Sequence, residues 1–102
     1  MPLPSFVTAD PAMMFAAAED LASIGAAMSA ANSGAAGPTA GVVPAAADQV
    51  SALTAAQFAT HAGHYQAAAG AAAAIHALLV STLHSNATSY AITEAANAIS
   101  AG

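Results

Sequence analysis

The chain has 102 residues, enough for one small domain, and contains no Lys or Arg, five acidic residues and no cysteine. Without cationic side chains it cannot neutralise phosphates, which excludes nucleic acid and anionic lipid head groups as partners of a basic patch. The lack of cysteine excludes disulfides, thiolate nucleophiles and Cys-type zinc sites. The composition is 58% hydrophobic and rich in Ala, which predicts an all-α protein.

A first helix is predicted over residues 10–36, after a lead-in of residues 1–9 that lacks the features of a Sec signal peptide. Asp10 is a suitable N-cap, and Pro11 suits the first helical position. Gly and Pro residues in the segment 37–43 are expected to end the helix in a loop. Apolar residues along the helix recur in alternating steps of three and four, which is a heptad seam. The seam consists of Met14, Ala17, Leu21, Ile24, Met28, Ala31 and Ala35.

A second helix is predicted over residues 44–84, opened by Pro44. The polar run at 85–89 either ends this helix or frays it, so residues 85–102 are assigned to a C-terminal tail. Gly63 and Gly70 share one face and are either tolerated or allow a neighbouring helix to approach closely. The heptad seam of this helix consists of Phe58, His61, Tyr65, Ala68, Ala72, Ile75 and Leu79.

Helices of these lengths, roughly 39 and 60 Å at 1.5 Å per residue, do not fit a compact small domain. The short connection favours an elongated antiparallel hairpin. Apolar residues extend beyond one narrow seam, so an isolated hairpin would expose a long apolar strip. We therefore expect half of a four-helix bundle, completed by a partner or by a second copy of the chain.

No catalytic motif or cofactor-binding loop is recognisable, so we predict neither enzymatic activity nor a cofactor. His61 and His64 stand at a metal-compatible spacing, but no third ligand accompanies them, and we predict no metal site. His61 is interpreted as a seam residue, and the other three His as polar surface. Tyr90 and Glu94 would share a helix face, and their role is either structural or functional.

The sequence resembles the PE family of mycobacterial proteins over nearly its whole length. The matching segments are SFV (5–7), DLASIG (20–25), PTAGVVPAAADQVS (38–51), Phe58, Tyr65 with Gln66, and the final Tyr90-x-x-x-Glu94. One position departs from the family, because Pro11 is followed by Ala12 instead of the Glu of the Pro-Glu motif. Asp10 can supply a carboxylate at the same helix end.

The resemblance implies a non-catalytic subunit that forms a 1:1 heterodimer with a PPE-family protein, two helices from each building one bundle. It implies that Tyr90 and Glu94 form a signal for type VII (ESX) secretion. A chaperone that binds the PPE subunit and the type VII secretion ATPase and membrane complex would be further partners. The protein would be cytoplasmic before export as a complex, and afterwards secreted or associated with the cell envelope. The partner interface is expected at Met14, Ala17, Leu21, Ile24, Met28, Phe58, His61, Tyr65, Ile75 and Leu79.

Three alternatives stay open at this point. In the first, the chain is the N-terminal export domain of a larger secreted enzyme such as a lipase or esterase. In the second, it is a membrane-active helical protein that self-associates. In the third, it forms a homodimeric four-helix bundle. The best candidate for a membrane span, residues 67–83, contains Gly70 and His76 and lacks interfacial anchors at its far end.

Overall fold

The computed structural model describes residues 7–101 and consists of two long antiparallel helices. Helix α1 covers Pro11–Ala40 and helix α2 covers Gln49–Ala101, which is 30 and 53 residues. The molecule measures 82 × 25 × 15 Å with a radius of gyration of 23.6 Å, against about 13 Å for a compact domain of this size. The predicted all-α elongated hairpin is confirmed. Residues 1–6 of the predicted lead-in, and Gly102 of the predicted tail, lie outside the described residues.

Helix α1 starts at Pro11 and passes through Pro38. Asp10 is the N-cap, and its Oδ1 accepts a hydrogen bond of 3.2 Å from the Met13 N–H. The predicted end at residue 36 is wrong, since α1 continues to Ala40. Pro38 is tolerated because a proline in the last turn removes only one backbone hydrogen-bond donor. The Thr39 hydroxyl also donates 2.6 Å to the Ala35 carbonyl, and the Gly41 N–H donates 2.9 Å to the Gly37 carbonyl. These bonds satisfy carbonyls at the end of the helix.

Helix α2 starts at Gln49, so the predicted start at Pro44 is wrong. Asp48 is placed to cap the helix. Its Oδ2 accepts 3.0 Å from the Ser51 N–H, and its Oδ1 accepts 2.7 Å from the Ser51 hydroxyl. Such a side-chain acceptor satisfies a first-turn N–H that has no partner inside the helix, whereas Pro44 offers none.

The polar run at 85–89 neither ends nor interrupts α2, which continues to Ala101. A separate tail over 85–102 is therefore a wrong prediction. The hydroxyls of Thr88 and Thr93 donate to the carbonyls of His84 and Ser89, four residues earlier, at 3.2 and 3.0 Å. Bonding of this kind within the helix lets Thr occupy interior positions.

The helices meet along a stripe of small side chains. Within residues 7–101 the buried hydrophobic residues are Ala18, Ala55, Ala62 and Ala87, and no large side chain is fully buried. In α2 the inward positions fall one residue after the predicted seam, for example Ala62 after His61 and Gln66 after Tyr65. One residue corresponds to about 100° of rotation on a helix. The larger seam residues therefore lie beside the interhelical contact.

Polar contacts across the stripe fix the alignment of the helices. A ring nitrogen of His76 hydrogen-bonds the Leu21 carbonyl on α1. The ring passes so close to Gly25 that a Cβ there would lie 2.6 Å from its Cδ2. His76 is thus half-buried and not the polar surface residue expected, and the ring of His84 packs edge-on against Phe15 at 4.7 Å. Gly63 and Gly70 face open space, so Gly25 is the glycine that allows close approach.

We predict that Gly25→Ala destabilises the hairpin relative to a matched Gly63→Ala variant. Both changes gain about 1 kcal/mol of helix propensity. Only the first displaces the His76 ring, a crowding effect of typically about 1–3 kcal/mol. Urea unfolding followed by circular dichroism measures the difference. In a His76→Ala background the penalty of Gly25→Ala should vanish, and a penalty that persists there would contradict the close-approach assignment.

The Asp48 cap predicts that the stability of the hairpin decreases at acidic pH. The Ser51 hydroxyl, and secondly its backbone N–H, hold the pKa of the Asp48 carboxyl below its usual 3.8. Because the folded-state pKa is the lower one, the stabilisation is complete above 3.8 and is lost as the pH falls through the folded value. We expect the melting temperature to fall more steeply below pH 4 in the wild type than in Asp48→Asn, which keeps an acceptor but does not titrate. Parallel curves would refute the role of the carboxylate.

Candidate partner-binding face and C-terminal Tyr-Glu pair

The two predicted seams lie on the same side of the hairpin. Met28 of α1 and Tyr65 of α2 line one shared cavity, and Ala35 of α1 and Phe58 of α2 line a second. We call this side the apolar face. It is formed by the ten residues predicted as the partner interface: Met14, Ala17, Leu21, Ile24, Met28, Phe58, His61, Tyr65, Ile75 and Leu79.

Most of the apolar face is open to solvent. Ile75 is 68% exposed and Phe58 is 57% exposed. Met14 and Leu21 are half-buried, because in α1 these positions border the contact with α2. A continuous row of large exposed apolar side chains is unusual for a free soluble protein and marks an interaction surface.

None of the ten residues of the apolar face is an Asp, Glu, Lys or Arg. Asp10 and Asp48 lie at the starts of the two helices. Glu19 and Asp20 are exposed; by helical geometry Glu19 points away from the apolar face, and Asp20, four residues before Ile24, lies at its edge. Glu94 lies near the C-terminal end of α2. The centre of the face therefore suits an apolar, uncharged surface.

The polar atoms bordering the apolar face are paired within the hairpin. The Tyr65 hydroxyl donates 2.7 Å to Oδ1 of Asn32, and Nε2 of Gln66 donates 2.9 Å to the Asn32 carbonyl. The sequence assigned no interhelical contact to Asn32 or Gln66, because each stands one residue after a seam position, Ala31 and Tyr65. Because these bonds are already made, covering the face leaves these groups satisfied.

Near the N-terminal start of α1, Glu94 lies in line with the inward stripe of α2, whereas Tyr90 stands one residue before the inward Ala91 and continues the line of the apolar face. Contacting residues, such as Asn32 with Tyr65, Phe15 with His84 and Gly25 with His76, have numbers that add to 97–101. Pro11, the first residue of α1, therefore lies opposite about residue 87. Tyr90 is 47% exposed and Glu94 is half-buried. The structure thus places the pair on one helix face, at the end of the hairpin opposite the interhelical loop.

His61 and His64 are both exposed on α2. In the part of the chain that the structure describes, no three His, Cys, Asp or Glu residues are grouped closely enough to hold a metal ion.

Known proteins match this sequence along almost its full length. The sequence profile of the PE family matches residues 7–97. The chain is 61% identical over 97 residues to PE family protein PE13 of Mycobacterium tuberculosis, an alignment that covers 95% of this chain and 98% of that protein. It is 54% identical over 90 residues to PE-PGRS family protein PE_PGRS11 and 56% identical over 94 residues to PE-PGRS family protein PE_PGRS5, both of the same organism.

The alignments with the two PE-PGRS proteins cover 88% and 92% of this chain but only 15% and 16% of those proteins. The region described here is thus a small part of these longer relatives. The names of all three relatives state a family and no catalytic activity. The family match and the near-complete alignment confirm the resemblance drawn from the sequence, and the chain belongs to the PE family.

Proposed function

We propose that this protein is a non-catalytic subunit that forms a 1:1 heterodimer with a PPE-family protein. The observation that supports this most directly is the combination of an all-alanine core with an exposed row of large apolar side chains. A hairpin of this kind buries little apolar area by itself, since most hydrophobic stabilisation comes from larger side chains. Two further helices packed on the apolar face would complete a four-helix bundle.

We further propose that Tyr90 and Glu94 form the recognition signal for type VII (ESX) secretion. Both residues lie near the C-terminal end of a continuous helix, and Tyr90 is about half exposed in the hairpin, which supports their availability for recognition at that end. The heterodimer would be held in the cytoplasm by a chaperone bound to the PPE subunit. It would then be passed to the secretion ATPase and membrane complex, and be secreted or retained at the cell envelope.

A second candidate function is that of an export domain of a longer protein. It is favoured by the PE-PGRS relatives, in which the matching region is a small fraction of the whole. Under this alternative the hairpin and its partner would have the same role, and a further domain would carry the activity after export.

Direct membrane insertion is the remaining alternative. Helix α2 is long and apolar enough to cross a membrane by length and composition alone. The apolar row on α1 favours a bundle over a single span, because it gives both helices a common apolar side. Flotation of the isolated chain with liposomes tests this alternative, and quantitative flotation would support insertion against the proposal.

We predict that Ile24→Ala combined with Ile75→Ala prevents stable complex formation. The two residues lie at the same level of the hairpin and are 52% and 68% exposed. Each truncation of a side chain buried in the complex should weaken it by about 2–5 kcal/mol. The chain is co-expressed with PPE-family proteins of its own genome, and the complex is measured by size exclusion with light scattering.

Ile99→Ala is the control, because Ile99 is 83% exposed but lies about 120° around α2 from Ile75. It should leave the complex intact. Full recovery of the 1:1 complex with the double Ile variant would place the partner on another surface.

We predict that Tyr90→Ala and Glu94→Ala each stop export without dissolving the heterodimer. The readout is the ratio of the protein in culture filtrate to that in lysate, measured in a mycobacterial host alongside purification of the complex. Ile92→Ala serves as control, since Ile92 lies between the pair on a different helix face and is exposed. Unchanged export of both variants would rule out the signal.

A further inference from the structure

Tyr65 divides the groove along the apolar face into two cavities of about 350 Å³ each, and it lines both of them. Its ring is anchored across the groove by the hydrogen bond from its hydroxyl to Asn32 on α1. The Tyr65 ring, held in place by this bond, therefore separates the two cavities, which form two recesses along the groove.

The two recesses have the same construction on α2. The first is lined by Tyr65, Ala68, Ala69 and Ala72, and the second by Phe58, His61, Ala62 and Tyr65. Each set has the spacing i, i+3, i+4, i+7, the four residues that form a hole for one knob side chain in coiled-coil packing. The sets are offset by seven residues and share Tyr65 as a common corner. They are consecutive holes of a single heptad seam.

We infer that these holes receive two large apolar side chains that stand seven residues apart on one helix of the partner. Seven residues of α-helix span about 10.5 Å, which equals the offset between the holes. The inference rests on the proposed function and specifies the kind of partner helix. That helix presents an uncharged stripe with a large aliphatic or aromatic residue at i and i+7.

Charge argues that the occupant is a different protein and not a second copy of this chain. Each copy has a formal net charge of −5 and no Lys or Arg, so two copies would repel without any opposing charge on either. A heterologous partner can supply the cationic side chains that this chain lacks. The partner helix is therefore expected to combine an apolar stripe with cationic residues at its edges.

Cysteine cross-linking tests the spacing. The chain has no cysteine, so Ala68→Cys in the first hole and His61→Cys in the second each provide a unique thiol. Each variant is co-expressed with a set of single-cysteine variants of the PPE protein that forms the complex with the wild-type chain. We expect the two strongest disulfides at partner positions seven residues apart on one helix. Cross-links on two different helices, another spacing, or disulfide-linked copies of this chain would overturn the inference.

A steric test uses adjacent alanines. Both Ala67 and Ala68 are exposed, but only Ala68 lines a hole. Ala68→Phe should reduce the affinity for the partner at least tenfold, and Ala67→Phe should leave it unchanged. If both variants bound the partner as tightly as the wild type, the inference about the holes would be wrong, and the proposed heterodimer would be unaffected. A wild-type chain that forms no complex with the PPE protein would overturn the heterodimer and the holes together.

Discussion

The contact between the two helices is made by alanine, and the rest of the structure depends on this constraint. Methyl groups let the helix axes approach closely, but each contributes little apolar area. Fully burying a Leu, Ile or Phe side chain is worth about 1.5–3 kcal/mol, and the hairpin leaves most of its large side chains outside. Because small residues occupy the contact between the helices, the large residues are left on the exposed apolar face. A second surface is needed to cover the large ones.

A seam of alanine specifies helix alignment poorly, because a slide by one heptad would again place alanine against alanine. The polar contacts supply the missing specificity. The His76 ring bonds the Leu21 carbonyl only where Gly25 leaves room, and Asn32 accepts from both Tyr65 and Gln66. Each contact joins residues more than thirty positions apart in sequence. A slide would break all of them and would leave the half-buried side chains of His76 and Gln66 without these partners. Polar groups that set register are a known use of such residues in helical seams.

The sequence permits prediction of the hairpin because the steps of three and four are regular and the charges are few. It also locates the apolar face and the Tyr90–Glu94 pair. The ends of the helices are harder to predict. The free-energy cost of Pro38 in α1 depends on its distance from the helix end. The hydroxyls of Thr88 and Thr93 bond carbonyls of their own helix, so these polar residues do not end it. The stripe of small side chains between the helices was not predicted, because the periodicity analysis uses large side chains. In α2 the helices meet through small residues one position after the large ones. For the same reason Gly25 is not distinguishable from Gly63 until the opposing His76 is placed.

The slender cross-section of the hairpin has a consequence for passage through a pore. The hairpin measures 25 × 15 Å in cross-section, so its narrow side is only modestly wider than a single helix of about 10–12 Å, and its wide side is about twice as wide. Added partner helices would widen the bundle without lengthening it. A channel matched to this shape would favour rods over globular cargo of equal mass, so width would sort substrates independently of any sequence signal.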